Sequence, residues 1–398
     1  MSVTPSLPKL PVSAPAPIHS QARVEAVVDL DVIAANAAAL RSAIGPATGL
    51  LAVVKADGYG HGMVGAARAA LAGGATWLGV ATADEALELR SAGIGAPALC
   101  WLSVPGEDAR PLVDAGIDIG VSSRWRLDEV LAGARAAGRP ARVQLKVDTG
   151  LSRNGLPPDE LPGMAAAIRA GVDAGLVAFT GLWSHLAWGE EPTHPDNDDQ
   201  LAALDRATGV LVDAGVAVPL RHLANSAAAL SRPDLRLDLV RCGIALFGYP
   251  PVRTTVPLRP AMTLRSRLAS VKPVTAGSGV SYGHRWHAPA DTVVGLVPVG
   301  YGDGILRTAS TSPGPTPAVS VAGRRVEVVG RICMDQFVVD LGPNADDRPG
   351  DEVVVFGPDG APTAEDWATA AQTISYEVVT ALHGRVSRRQ VSRAGGRA

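Results

Sequence analysis

From residue 50 to about 248, short runs of apolar and often β-branched residues alternate with Ala/Leu-rich stretches of helical period, the pattern of repeated β/α units. The runs 51–55, 77–81, 98–102, 117–121, 143–147, 177–184, 220–224 and 237–242 predict eight strands, and eight parallel strands close a TIM-type (β/α)8 barrel. Runs without polar alternation suit strands covered on both faces. A helix is expected over 161–174, where Asp159 and Glu160 place negative charge at its start.

The texture changes after the proline-marked segment 249–260. Runs at 263–274, 292–299, 318–321, 326–329, 337–341 and 352–356, separated by Gly, Pro and Asp turns, predict a second, mainly antiparallel β domain. One helix, 363–382, interrupts it with a Thr/Glu opening resembling a capping box. An early strand at 24–30 can pair with either part. The expected organisation is therefore an α/β chain with an extension over 1–22, a barrel over 23–255 and a C-terminal β-rich domain over 256–398. Residues 23–31 are left open to pairing with the β domain.

At 398 residues the chain holds a barrel of about 200–250 residues with room for this second domain. A charged fraction of 19% and a net charge of −3 give no electrostatic footprint for nucleic acid or an anionic membrane, so a small-molecule partner is expected. The three cysteines, Cys100, Cys242 and Cys333, are widely spaced, which suggests no disulfide framework and no metal site and fits a reducing cytoplasm. Residues 1–22 are rich in Pro, Ser and Ala without the apolar core of a secretory signal, and read as disordered. No apolar run approaches the roughly 18 residues of a membrane span, so a soluble protein is expected.

In β/α barrels the reactive groups sit at the C-terminal ends of the strands. Lys55 closes the first strand and is followed by a glycine-punctuated turn. In apolar surroundings its ammonium form is disfavoured, leaving an amine able to condense with an aldehyde such as pyridoxal phosphate; a strand-end lysine can equally be a snorkelling surface residue. The fifth strand leads into Lys146-Val-Asp-Thr-Gly-Leu-Ser-Arg153, where an arginine can grip a carboxylate or simply be solvated. His185 stands at the end of the sixth strand, as an acid, a base or a structural residue. After the seventh, Asn225-Ser226 either caps the next helix or receives a phosphate. The eighth ends Arg241-Cys-Gly243-Ile244, adding a cation and a residue that admits close backbone approach. Phosphate sites of such barrels lie at the last two strands, beside the first once the barrel closes.

Taken together, these motifs resemble the bacterial alanine racemases of the pyridoxal-phosphate barrel type (fold type III), over roughly residues 24–390. The segments that carry the resemblance are Val-Val-Lys55-Ala-Asp-Gly-Tyr59, Lys146 to Arg153, Asn225-Ser226-Ala227 and Arg241-Cys-Gly243-Ile244. In the second domain they are Val-Ser-Tyr282-Gly-His, Gly-Tyr301-Gly-Asp303, Cys333-Met334-Asp335-Gln336 and Ser375-Tyr376-Glu377.

The resemblance implies a two-base racemase interconverting L- and D-alanine, the latter for peptidoglycan, as a homodimer with shared active sites. Lys55 then carries the cofactor and serves one face of the substrate, and Tyr282 of the partner subunit serves the other. Tyr59, Asn225, Ser226, Gly243, Ile244 and Tyr376 are implied at the phosphate, and Arg241 at the pyridine nitrogen. His185 is implied beside the catalytic tyrosine, Arg153 and Met334 at the substrate carboxylate, Tyr301 at the entry, and Lys146 as a carbamylated brace for Arg153. Modest departures from the commoner pattern are Gly302, Phe247, Arg285 and Ser387, and Arg285 leaves alanine specificity open. A serine or broader-specificity racemase, a copy tolerant of a cycloserine-like inhibitor, a non-catalytic cofactor carrier and a decarboxylase remain alternatives.

Overall fold

A computed structural model describes residues 22–392. The eight barrel strands are β2 (Gly49–Val53), β3 (Trp77–Val80), β4 (Ala98–Cys100), β5 (Asp118–Val121), β6 (Ala141–Lys146), β7 (Val177–Trp183), β8 (Arg221–His222) and β9 (Leu239–Cys242), preceded by β1 (Val24–Asp29). They form one parallel sheet in the order β8-β7-β6-β5-β4-β3-β2-β9. Asp238 N donates to Arg221 O at 3.1 Å and Arg241 N to Ala224 O at 3.0 Å, bridging β8 to β9 and closing the ring. Leu50 to Val54 of the first barrel strand are all buried, as a strand covered on both faces requires.

The C-terminal part comprises β10 (Met262–Arg267), β11 (Ser270–Val274), the hairpin β12 (Gly279–Val280) and β13 (Trp286–His287), then β14 (Thr292–Val297) and β15 (Ala318–Val321). It ends with β16 (Arg324–Val329), β17 (Phe337–Gly342), β18 (Glu352–Phe356) and β19 (Ser387–Val391). Nine of the strands make a sheet in the order β11-β14-β17-β16-β15-β18-β10-β1-β19. The early strand β1 belongs here, antiparallel to β10 and parallel to β19. The expected extension over 1–22 lies outside the described residues except for its last position.

Four expectations are corrected. The run 263–274 is two strands, because at Leu268 and Ala269 the backbone changes partner, from Asp351 O at 2.9 Å to Leu296 O at 2.8 Å. The segment 363–382 is two helices, Ala364–Ala371 and Ser375–Thr380, parted at Gln372 in the left-handed region. Its capping box pairs Thr363 with Asp366 rather than with a glutamate. The seventh barrel strand shrinks to two residues. The helix Leu30–Ile44 is not among the expected elements although Ile33, Ala37, Leu40 and Ile44 recur at helical spacing and are buried; the β12/β13 hairpin and β19 have apolar sets too short or too exposed to give a periodic signal.

Two buried polar contacts tie the first strand and first helix to segments much later in the chain. Asn36, on the helix Leu30–Ile44, donates to Leu246 O at 3.0 Å and Arg259 O at 2.8 Å and accepts from Arg259 N at 2.9 Å. Glu25 of β1 accepts from Arg265 of β10 at 2.8 Å and from Arg389 of β19 at 2.8 Å, with the Glu25 and Arg265 side chains almost fully enclosed. Burial opposes ionisation of Glu25, but hydrogen bonds from Arg389 and Arg265 outweigh it and hold the carboxyl below its ordinary value of 4.5. Arg265→Met, which leaves this carboxylate with Arg389 as its remaining cation, is expected to lower the unfolding free energy by about 2 kcal/mol at neutral pH. Because the folded pKa is depressed, the contribution is present above pH 4.5 and fades as acid takes the carboxyl through its folded pKa. Urea unfolding at neutral and acid pH should therefore show the gap between variant and parent narrowing in acid.

Candidate active site

Lys55 leaves the end of β2 with its Nζ 5.8 Å from the centre of the Trp101 ring. Burial lowers its pKa, helped by the Arg153 charge and opposed by Glu85. Behind it Ala56, Asp57, Gly58 and Tyr59 all have φ between 51° and 62°. Left-handed residues with a Cβ cost about 1–2 kcal/mol each and seldom occur in succession. Three such residues in one arc mark a backbone held in place by its surroundings.

That arc delivers Tyr59 against the end of the neighbouring strand β9. A Cβ on Gly243 would lie 2.2 Å from Tyr59 Oη, so only glycine allows the tyrosine to approach. The Tyr59 and Tyr376 rings are 6.2 Å apart between centres, and burial raises the pKa of both hydroxyls, keeping them protonated donors. Gly243 N donates to Ser226 Oγ at 3.0 Å, while Asn225 caps the helix Ser226–Ser231 by accepting from Ala228 N at 3.0 Å. Ile244 is buried at the start of the following 3-10 turn, Ile244–Phe247. Hydroxyls, a helix start and a glycine backbone thus converge on one small cradle, which suits a phosphate.

Arg241 is buried beside it and, among the described residues, is paired with no carboxylate. Its guanidinium donates to Ser184 O at 2.7 Å and Leu223 O at 3.1 Å, and meets His222 Nδ1 at 3.0 Å and His185 Nδ1 at 3.2 Å. An arginine can only donate, so both imidazoles must accept through Nδ1 and carry their proton on Nε2. His222 Nε2 then donates to Gln144 Oε1 at 2.8 Å, and Gln144 Nε2 to Asp118 Oδ1 at 3.2 Å; Asp118 is also paired with Arg142 Nε at 2.7 Å. Burial, reinforced by Arg241, keeps both histidines neutral. Burial likewise brings Arg241 down to about 9, still protonated at neutral pH.

Lys146 is buried with its Nζ 4.8 Å from the Trp183 ring centre, and Arg241 Cζ lies 5.0 Å from the same ring. Burial, with Arg241 and Arg153 adding to it, brings the Lys146 amine down to about 8. Arg153 lies exposed on the loop after β6, where Asp148 accepts from Gly150 N at 3.0 Å and Ser152 N at 3.1 Å. Lys55, Lys146, Arg153 and Arg241 therefore raise one positive field over the mouth.

Tyr282, Met334 and Tyr301 stand apart from this group. Tyr282 follows Ser281, whose φ of 62° and bond to Arg331 O at 2.7 Å turn the tyrosine outward to 68% exposure. With Met334 it lines a pocket of about 470 Å³ formed by Ser281–His284 and Cys333–Gln336, all from the C-terminal part and including none of the four cations. Tyr301 joins this region through Gly302 N, which donates to Met334 O at 2.7 Å. Sequence reasoning passed over His222, Gln144, Asp118, Trp101, Trp183 and Glu85. His222 falls inside the seventh predicted run, 220–224, but its partners are distant in sequence and no local motif links them.

Family models for the alanine racemase N-terminal domain and C-terminal domain match residues 28–251 and 261–390. The alanine racemase of Thermobifida fusca is 53% identical over 368 residues, covering 92% of this chain and 97% of that protein. The Mycobacterium avium alanine racemase is 52% identical, covering 92% and 94%. Among solved structures, alanine racemase from D-cycloserine-producing Streptomyces lavendulae superimposes with a TM-score of 0.90 at 48% identity, covering 95% of this chain and 98% of that one. That from Streptomyces coelicolor gives 0.89 at 49% identity, covering 93% and 98%. With both halves matched and the barrel and sheet shared, the chain belongs to the alanine racemase family.

Proposed function

We propose that this alanine racemase works with pyridoxal 5'-phosphate on Lys55 and with two bases, one of them from a second copy of the chain. The observation that carries the reading is the cationic mouth itself: a depressed lysine amine, a polar cradle walled by Tyr59 against Gly243, and a buried arginine paired with no carboxylate among the described residues. An anionic cofactor and the carboxylate of alanine are the charges such a site lacks. Bound there, pyridoxal phosphate supplies the electron-withdrawing ring that acidifies the Cα–H of the amino acid attached to it.

The residues of the chain do the rest. Tyr59, Tyr376, Ser226, Gly243 and Ile244, with Asn225 fixing the helix start, hold the phosphate. Arg241 keeps its proton and offers only N–H to the ring nitrogen, which restrains the electron sink and favours racemisation over side reactions. Lys55, with its pKa lowered by burial, holds and moves a proton on one face of Cα. Tyr282 of the partner subunit does so on the other. His185, with Nδ1 taken by Arg241, has its Nε2–H free in direction to donate to that tyrosine oxygen and favour its anion. Arg153 and the Met334 N–H receive the substrate carboxylate, with Tyr301 at the entry. The outward-facing pocket at Tyr282 and Met334 supports a homodimer in which each chain completes the other's mouth. No helix among the described residues is long and apolar enough to cross a membrane.

Borohydride treatment of the coloured holoenzyme, followed by peptide mapping, should fix the cofactor on Lys55 and abolish L-alanine racemisation; a label on another lysine would refute the assignment. Neither Lys55→Ala nor Tyr282→Phe alone should retain more than about a thousandth of the activity. Mixing the two under verified subunit exchange should restore up to about a quarter of the parental rate, through hybrids with one intact site. No recovery would count against a shared site. An amine at about 8 in a positive field is also set to react with carbon dioxide, giving an anion that braces Arg153. Enzyme equilibrated with 13C-bicarbonate should show a carbamate carbon resonance that disappears in Lys146→Met.

A further inference from the structure

The most strained backbone at the barrel mouth is the left-handed arc behind Lys55, and part of what holds it comes from the other end of the chain. Internal bonds, Gly58 N to Val54 O at 2.8 Å and Gly60 N to Ala56 O at 3.0 Å, keep the arc compact. Its direction is fixed from outside. On the barrel side Glu85 accepts from Ala56 N at 2.6 Å. On the other side Asp57 Oδ1 takes Met63 N at 2.9 Å, while Asp57 Oδ2 is paired with Arg388 of β19. Arg388 is itself fixed by Leu382 O at 3.2 Å, and its neighbour Gln390 donates to His61 O at 3.0 Å.

β19 is the edge of its sheet and pairs only with β1. Its side-chain contacts to the arc therefore reach across to the barrel rather than reinforce the sheet.

We infer that Arg388, acting through Asp57, is a positioning residue for Lys55: the ion pair between the last strand and the left-handed arc sets the direction in which the lysine amine leaves β2. The inference rests on Lys55 as the cofactor lysine. Both partners are partly exposed, at 32% and 49%, so the pair adds little to global stability and its loss should be felt locally. The strain lies within four residues of Lys55, where a loosened arc changes the approach of the amine more than the binding of alanine.

The test compares Arg388→Met, Arg388→Lys and Asp57→Asn holoenzymes by amide hydrogen exchange and steady-state kinetics. Asp57→Asn keeps an acceptor for Met63 N and removes only the charge. In Arg388→Met and Asp57→Asn, exchange across 55–62 should rise about fivefold while a reference peptide over 141–147 stays unchanged. kcat should fall about fivefold with KM for L-alanine within about twofold of the parent. Arg388→Lys should recover most of both. Unchanged exchange across 55–62, or an equal rise in both peptides without rescue by lysine, would overturn the inference. Should Arg388→Met not fold, the other two variants decide by the same readings. Borohydride labelling of the parent away from Lys55 would instead sink the cofactor assignment, whatever the exchange data show.

Discussion

Arg241 is a full charge enclosed in protein without a carboxylate beside it, and much of the barrel mouth is arranged around that fact. Burying a cation is costly unless it is hydrogen-bonded on every side. Here two backbone carbonyls and two imidazole lone pairs satisfy it, and the relay through His222 and Gln144 ends on a carboxylate, Asp118. The chain of donors runs in one direction, so each tautomer and amide orientation follows from the arginine at its head. Trp183 closes one side, with the His222 ring stacked on it at 5.6 Å between centres and nearly parallel. What this leaves is positive potential directed at the mouth rather than spent within the protein.

The same logic explains why the lysines are poised. Lys55 and Lys146 are driven down by burial first and by neighbouring cations second. Glu85 pushes Lys55 and Asp148 pushes Lys146 the other way, but neither prevails. Asp148 is instead engaged by backbone amides of its own loop, and Glu85 by the amides of Ala56, Ala81 and Thr82. The acids near the site are thus largely occupied with backbone.

The barrel was legible because its strands are continuous apolar runs, and the candidate site residues Lys55, Lys146, His185, Ser226 and Arg241 all fall at or just after the ends of those runs. The second domain was legible in its apolar strands, including the four-residue β15, but not in the β12/β13 hairpin or in β19. The break at Leu268 turns on a change of hydrogen-bonding partner, and β19, with Arg388 and Arg389 at half-exposed positions, has no apolar alternation to betray it. Tyr282, Met334 and Tyr376 had meaning only through the family likeness, since their own sequence surroundings describe ordinary turns. The Arg241 relay was beyond reach for a different reason. Its links join residues 19, 78 and 26 positions apart, and no local pattern encodes such contacts.

The position of β1 carries a consequence for how the molecule comes to be built. Glu25 meets a partner 240 positions on in Arg265 and another 364 positions on in Arg389. The first strand made is therefore among the last to find its neighbours. During synthesis the barrel strands, each beside one close in sequence, can assemble while β1 remains an unpaired edge, a surface open to wrong pairing. The segment that follows Lys55 is then completed last, when residues near the end of the chain arrive. A nascent barrel of this kind has Lys55 in place before it has Lys55 in order, so the ordering of the barrel mouth is coupled to the final closure of the distant sheet.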